Sequence, residues 1–118
     1  STAVVLSGWA DQGFQFLGYA PPKSGRRDRQ ISEIAATAVT QVLFETPHRI
    51  IKWLTAAIPI LKDRPICAVK ELTKKFERHY RGSAQDILNQ LEGQSTKGEW
   101  VIVVSPLAPQ KKSRSTNY

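Results

Sequence analysis

Phe44-Glu45-Thr46-Pro47-His48-Arg49 is the stretch that decides how this chain folds. It follows the apolar run Val42-Leu43-Phe44, and from Ile50 onward Ile50, Ile51, Leu54, Ile58 and Leu61 recur along one helical face. A strand therefore ends where a helix begins. Thr46 suits the N-cap of that helix and Pro47 its first position. In α/β proteins such junctions gather backbone donors and strand-end side chains, and ligands dock on them. Glu45, Thr46, His48 and Arg49 make this one polar. The plainer alternative is an ordinary capped turn, and the segment alone does not choose between the two.

The rest of the fold is read outward from that junction. Upstream, Phe14-Gln15-Phe16-Leu17-Gly18-Tyr19 is aromatic-rich and roughly alternating, so it reads as a strand. Pro21 to Gly25 is a loop, and Ile31, Ile34, Ala35 and Ala38 mark a helix over about residues 27–38. Gln41 to Glu45 is the second strand. Pro59 is expected to kink or end the helix that starts at Ile50. Ile66 to Glu71 and Glu77 to Gly82 are strands that could pair as a hairpin. Ser83 with Asp86 forms a variant capping box for a helix whose apolar face is Ala84, Ile87, Leu88 and Leu91, and Gly93 ends it. Trp100 to Val104 is continuously apolar, as a central buried strand should be. The order β-α-β-α-β-β-α-β implies an α/β domain (mixed α+β) with a mixed sheet of about five strands and three helices.

Composition bounds the rest. The chain has 118 residues, 41% of them hydrophobic, enough for one domain with a real core. Met is absent, so the sequence is read as a piece of a longer protein. Residues 1–10 read as the end of an earlier domain or linker, 11–106 as the domain, and 107–118 as a basic tail expected to be disordered. No apolar run approaches the ~20 residues of a spanning helix, so no membrane partner is expected. The single Cys67 lies in the apolar stretch Ile66-Cys67-Ala68-Val69; it reads as a buried thiol and fits a reducing cytoplasm. One Cys and two distant histidines make no metal-ligand set. The net charge is +7 and the pI about 9.9, which favours polyanionic partners, nucleic acid first.

Three further constellations stand out. Lys23, Arg26, Arg27 and Arg29 crowd a Gly-containing loop against one Asp28, a pattern suited to phosphate contacts. Cations there oppose the dipole of the following helix, a cost that hints at use, although a solvated helix start is the plainer reading. Lys70-Glu71-Leu72-Thr73-Lys74-Lys75-Phe76-Glu77 joins two strands; Glu71 and Thr73 could hydrogen-bond a ligand, or the segment is only a polar hairpin turn. Lys97-Gly98-Glu99 precedes the central strand, and Gly98 would let something approach the backbone closely.

Together these segments, with Ser7-Gly8 and Phe14 to Arg27, resemble the C-terminal domain of the bacterial ribosomal RNA methyltransferases that methylate a cytidine ribose 2′-oxygen in small-subunit (16S) RNA. That family lies within the tetrapyrrole (corrin/porphyrin) methylase superfamily. The resemblance runs from about residue 4 to 104, with matching order and spacing. Departures are Thr46 for the usual Ser, Phe44 for Tyr and Lys70 for Arg, with Trp9 and Ala20 also less typical.

The resemblance implies S-adenosylmethionine as cofactor, held between this domain and an N-terminal domain of the same polypeptide. Phe44, Glu45, Thr46, Pro47, Leu72, Thr73 and Glu77 would line its pocket. Glu45, His48 and Glu71 are candidates for the base that takes the hydroxyl proton, and nothing in the sequence ranks them. Lys23, Arg26, Arg27, Arg49, Lys74 and Lys75 would form a rim for small-subunit ribosomal RNA. The parent would be a cytoplasmic homodimer, and this piece alone would be inactive. The alternatives are a methylase of a small tetrapyrrole-like substrate, a non-catalytic RNA-binding module and a domain that mainly dimerises. An RNA module would expose stacking aromatics on a sheet face. Phe14, Phe16, Tyr19 and Tyr80 could serve, although aromatics alternating in a strand are more often core.

Overall fold

Five strands form one mixed sheet in the order β1-β2-β5-β3-β4. The computed structural model describes residues 8–107; the expectations placed on residues 1–7 and 108–118 lie outside them. The strands are β1 (Phe14–Tyr19), β2 (Thr40–Glu45), β3 (Ile66–Glu71), β4 (Glu77–Gly82) and β5 (Glu99–Val104). The helices lying wholly within the described residues are α1 (Ser24–Ala36), α2 (Ile50–Leu61) and α3 (Ala84–Leu91). β1 and β2 run parallel, and the other pairings are antiparallel. β5 sits in the middle, as its unbroken apolar run requires, and β3 and β4 form the expected hairpin.

All three helices lie on one face. Ile31 and Ile34 of α1, Trp53 and Leu54 of α2, and Ile87 and Leu91 of α3 share one buried cluster with Leu43, Ile66, Ala68, Trp100, Ile102 and Val104 of the sheet. The side-chain period of two sends Val42, Cys67, Val69, Val101 and Val103 to the opposite face, where Trp9 and Phe44 pack against them. Cys67 is free and buried, and burial pushes its thiol pKa up. No helix among the described residues is long and apolar enough to cross a membrane.

Several local expectations are corrected. α1 starts at Ser24 rather than near residue 27 and ends at Ala36. Thr46 does not cap α2 with its side chain: a preceding turn places Arg49 at the N-cap, and Thr46 contributes its carbonyl, which accepts from Ile50 N at 3.0 Å. α2 passes through Pro59 and ends two residues later, at Leu61, and its C-cap Lys62 has a left-handed φ of 52°. α3 carries the full capping box, with Ser83 and Asp86 each bonding the other's backbone N–H. The aromatics of β1 are not core. Phe14, Phe16 and Tyr19 are each about half exposed, whereas Tyr80 is buried. A bulge between Phe16 and Gly18, with Gly18 at φ 74°, breaks the alternation. Phe16 and Tyr19 thereby both reach the Phe44 ring, with centroids 5.1 and 5.3 Å away.

Candidate functional site

The pairing pattern brings the separated segments to one edge of the sheet. β1, β2 and β3 end there, and β4 and β5 begin there. Glu45 lies opposite Trp100, Lys70 opposite Trp100, and Glu71 opposite both Glu99 and Glu77. Cross-bonds tie the loops together. Ala20 N donates to Phe44 O at 3.0 Å, Thr96 Oγ1 to Pro47 O at 3.0 Å, and Lys70 Nζ to Ser95 O at 2.7 Å. Gly98 adopts φ 128°, and a Cβ there would lie 2.8 Å from the Glu71 carbonyl. The close approach that Gly98 permits is thus the chain's own β3 end.

The two faces of this edge differ. On the helix side, Glu45 is only 1% exposed and Lys70 only 4%. Glu45 Oε1 accepts from the Thr46 N–H at 2.9 Å and from Arg49 Nε at 3.1 Å. That geometry makes Glu45 an anchor for the strand–helix turn, because a buried carboxylate needs such partners. Lys70 lies over the rings of Tyr80 and Trp100, 5.9 and 5.8 Å from their centroids. On the far side, Glu99, Glu71 and Glu77 stand in register on three neighbouring strands. Tyr19 OH donates to Glu99 Oε1 at 3.4 Å, and His79 Nε2 pairs with Glu77 Oε1 at 2.7 Å.

The remaining candidates are spread along the edge. Phe44 and Pro47 are half-buried and His48 is exposed. Thr46 Oγ1 is buried and has no hydrogen-bond partner. Leu72 and Thr73 are exposed at the hairpin tip, where Thr73 Oγ1 accepts from Lys75 N and Phe76 N. Lys74 and Lys75 are exposed beside Phe76, itself 68% exposed. Lys23 and Arg26 are exposed at the other end, whereas Arg27 is mostly covered and donates to Asp28 at 3.1 Å. The two basic groups follow β1 and β3, three strand spacings apart, or roughly 14 Å. They are two clusters on one edge. Among the described residues no three His, Cys, Asp or Glu side chains are grouped to hold a metal ion.

Sequence reasoning passed over Gln30 and Glu33, which lie one and two turns beyond Arg26 on α1 and share its surface; the i, i+4, i+7 spacing was the available signal. It also passed over Arg64. Its guanidinium donates to Ser105 O at 2.8 Å, Thr37 O at 3.0 Å and Ala35 O at 3.3 Å, tying the end of α1 to the end of β5.

Comparison with known proteins gives this edge a context. No protein-family model matches the chain. It is 38% identical over 104 residues to ribosomal RNA small subunit methyltransferase I of Streptococcus pyogenes serotype M3, an alignment covering 88% of this chain and 36% of that protein. The protein of the same name from Neisseria meningitidis serogroup A is 34% identical over 111 residues, covering 92% and 38%. That from Halalkalibacterium halodurans is 31% identical over 103 residues, covering 87% and 36%. By sequence, this stretch is similar to part of ribosomal RNA small subunit methyltransferase I. It spans little more than a third of the length of those relatives. Among solved structures, the chain is similar to a cobalamin biosynthetic enzyme, cobalt precorrin-4 methyltransferase. The TM-score is 0.55 at 17% identity, over 79% of this chain and 40% of that one. At that identity the likeness concerns the fold, and it matches the tetrapyrrole-methylase architecture that the sequence motifs implied.

Proposed function

We propose that this chain is the C-terminal part of an S-adenosylmethionine-dependent methyltransferase, and that the parent protein methylates a cytidine ribose 2′-hydroxyl in small-subunit ribosomal RNA. The observation that carries the reading is the meeting of the post-β2, post-β3 and pre-β5 segments on one sheet edge, in a chain similar to ribosomal RNA small subunit methyltransferase I. The cofactor, when bound, supplies a methyl group already activated on a sulfonium.

The residues present fit that group. Thr46 Oγ1 is a buried polar atom with no hydrogen-bond partner, and Phe44 and Leu72 offer apolar surface elsewhere along the same edge. Thr46, Phe44, Pro47 and Leu72 would hold the cofactor from this side, with the rest of the parent's chain closing the other. Glu45 is withdrawn from proton transfer by its burial and its bond to Arg49, and serves instead to set the turn that carries Thr46 and Pro47. Glu71 and His48 are exposed and are the better candidates to take the hydroxyl proton. In-line placement of the reacting atoms accounts for most of the rate. Lys23, Arg26, Lys74 and Lys75 hold the RNA backbone at the two ends of the edge. The parent works in the cytoplasm as a homodimer, and the chain alone does not transfer methyl groups.

A second reading draws on the half-exposed Phe14, Phe16 and Tyr19: a non-catalytic RNA-binding module that stacks bases on β1. One experiment separates the two. The full-length parent is incubated with labelled S-adenosylmethionine and unmodified small ribosomal subunits, and the RNA is digested to nucleosides. Label in 2′-O-methylcytidine is expected. RNA binding without affinity for S-adenosylhomocysteine would favour the module. Cofactor binding without labelled RNA would point to a small tetrapyrrole-like substrate.

A further inference from the structure

Helix α1 carries a surface of which the methyl-transfer reading uses only Arg26. Arg26, Arg29, Gln30 and Glu33 share one stripe of the helix and, with Pro21, line a notch of about 360 Å³. That volume falls within the range of small-ligand sites. Arg26 and Arg29 are exposed, and among the described residues no ion pair joins either to an acid. Gln30 Oε1 is buried with no hydrogen-bond partner. Buried acceptors of that kind are uncommon and ask for a donor. The notch therefore offers two cations toward an anion, and the Glu33 carboxylate, with the Gln30 side chain lining the wall beside it, toward N–H donors.

A nucleotide whose base carries an exocyclic amine presents that combination. Its phosphate answers the guanidiniums, its amino group answers the Glu33 carboxylate, and the Pro21 ring offers an apolar wall to the base. Carboxylate and amide oxygens pair with such amines, cytosine N4 and adenine N6 among them. Uracil presents carbonyl oxygens on either side of its single N–H, which would face acceptor against acceptor. The notch adjoins the candidate edge, because Pro21 directly follows Ala20, whose N–H is bonded to Phe44 O. We infer that this notch is a subsite for one unpaired, amine-bearing nucleotide of the RNA strand, flanking the nucleotide that is methylated. The inference rests on the RNA reading given above and adds a base preference to it.

The test uses the 118-residue chain and 5′-labelled hexaribonucleotides C6, A6 and U6, followed by fluorescence anisotropy at low salt. C6 and A6 should bind at least about five-fold more tightly than U6, a preference that one well-placed hydrogen-bonded contact can supply. The double variant Arg26→Gln/Arg29→Gln should lose about ten-fold or more for all three and flatten the salt dependence. Glu33→Gln, on an exposed side chain, should weaken the preference while leaving U6 affinity in place. Equal wild-type affinity for the three oligomers would overturn the inference. So would a double variant that binds as wild type does, which leaves RNA binding itself intact. Failure of the wild-type chain to bind any of the three would overturn the subsite, and labelling of RNA by the full-length parent then decides the RNA reading separately.

Discussion

Replacing Gly98 with alanine should unseat the edge on which the candidate site is built, and replacing Gly25 the same way should not. At Gly98 the backbone has φ 128°, and an added Cβ would meet the Glu71 carbonyl at 2.8 Å and Lys70 Cγ at 3.1 Å. The carbonyl is backbone inside a strand pair and cannot swing aside. Forcing an L-residue into that backbone region costs about 1–3 kcal/mol, and overpacking adds about 1–3 kcal/mol. A loss of about 4 kcal/mol is a large part of the 5–15 kcal/mol that holds a typical domain together, roughly. At about 4–8 °C per kcal/mol, Tm should fall by on the order of 15 °C or more. Gly25 lies inside α1, with no atom within 4 Å of an added Cβ and no left-handed φ. There alanine should gain about 0.5 kcal/mol through helix propensity. Urea unfolding followed by circular dichroism reads both changes as midpoint shifts at constant m. A Gly98→Ala midpoint equal to wild type would refute the argument, as would a Gly25→Ala loss comparable to that of Gly98→Ala.

Three further outcomes are expected. Lys62→Gly should raise stability by about 1 kcal/mol in the same urea assay, because it relieves the left-handed residue that ends α2. Arg64→Ala should cost about 3 kcal/mol by leaving the carbonyls of Ala35, Thr37 and Ser105 without their charged donor, and Arg64→Lys should recover less than half, for want of the planar fork. Cys67 should resist Ellman's reagent in the folded chain and react on unfolding. Burial raises its pKa in the folded state. Its contribution to stability is therefore complete below the unfolded thiol pKa and lost as pH rises through the folded value. Cys67→Ala should flatten that alkaline decline, and an unchanged pH profile would contradict it.

The strand and helix order was legible because each element announces itself locally. β5 holds five consecutive apolar residues after Glu99, α3 has a capping box and a Gly93 just past its end, and the β3–β4 hairpin is bounded by charged ends. The errors came where side-chain contacts and pairing outweighed simple propensity. Thr46-Pro47 has the chemistry of a helix start, yet Glu45 draws Thr46 N and Arg49 Nε to itself and delays the helix to Ile50. Period-two alternation predicts buried aromatics in β1, but the Gly18 bulge shifts the register of an edge strand, which has a neighbour on one side only. No local pattern could have shown that Glu71, Glu77 and Glu99 would stand side by side, since that alignment is set by strand order and register. The notch on α1 was half legible: its arginines stood out as charge, while Gln30 and Glu33 looked like an ordinary polar helix face.

The charge of the chain gains meaning once its cations are sorted by what they touch. Arg27 is held by Asp28, Arg49 by buried Glu45, Arg64 by three carbonyls, and Lys70 by Ser95 O and two aromatic rings. These four stabilise the fold and cannot be counted toward a partner without undoing it. Of the exposed cations among the described residues, Lys23, Arg26, Arg29, Lys74 and Lys75 fall at the two ends of the edge where the candidate site lies, and Lys52, Lys62, Arg78, Arg81 and Lys97 lie outside those two groups. One of the two groups stands against the uncapped start of α1, where the helix dipole disfavours cations. The distribution predicts that neutralising Lys74 and Lys75 weakens RNA binding by the parent protein and lowers its salt slope by about 2, whereas Arg64→Ala lowers stability without changing that slope. A salt slope that responded to Arg64→Ala and ignored the lysine pair would reverse the assignment of which cations serve the fold and which serve the partner.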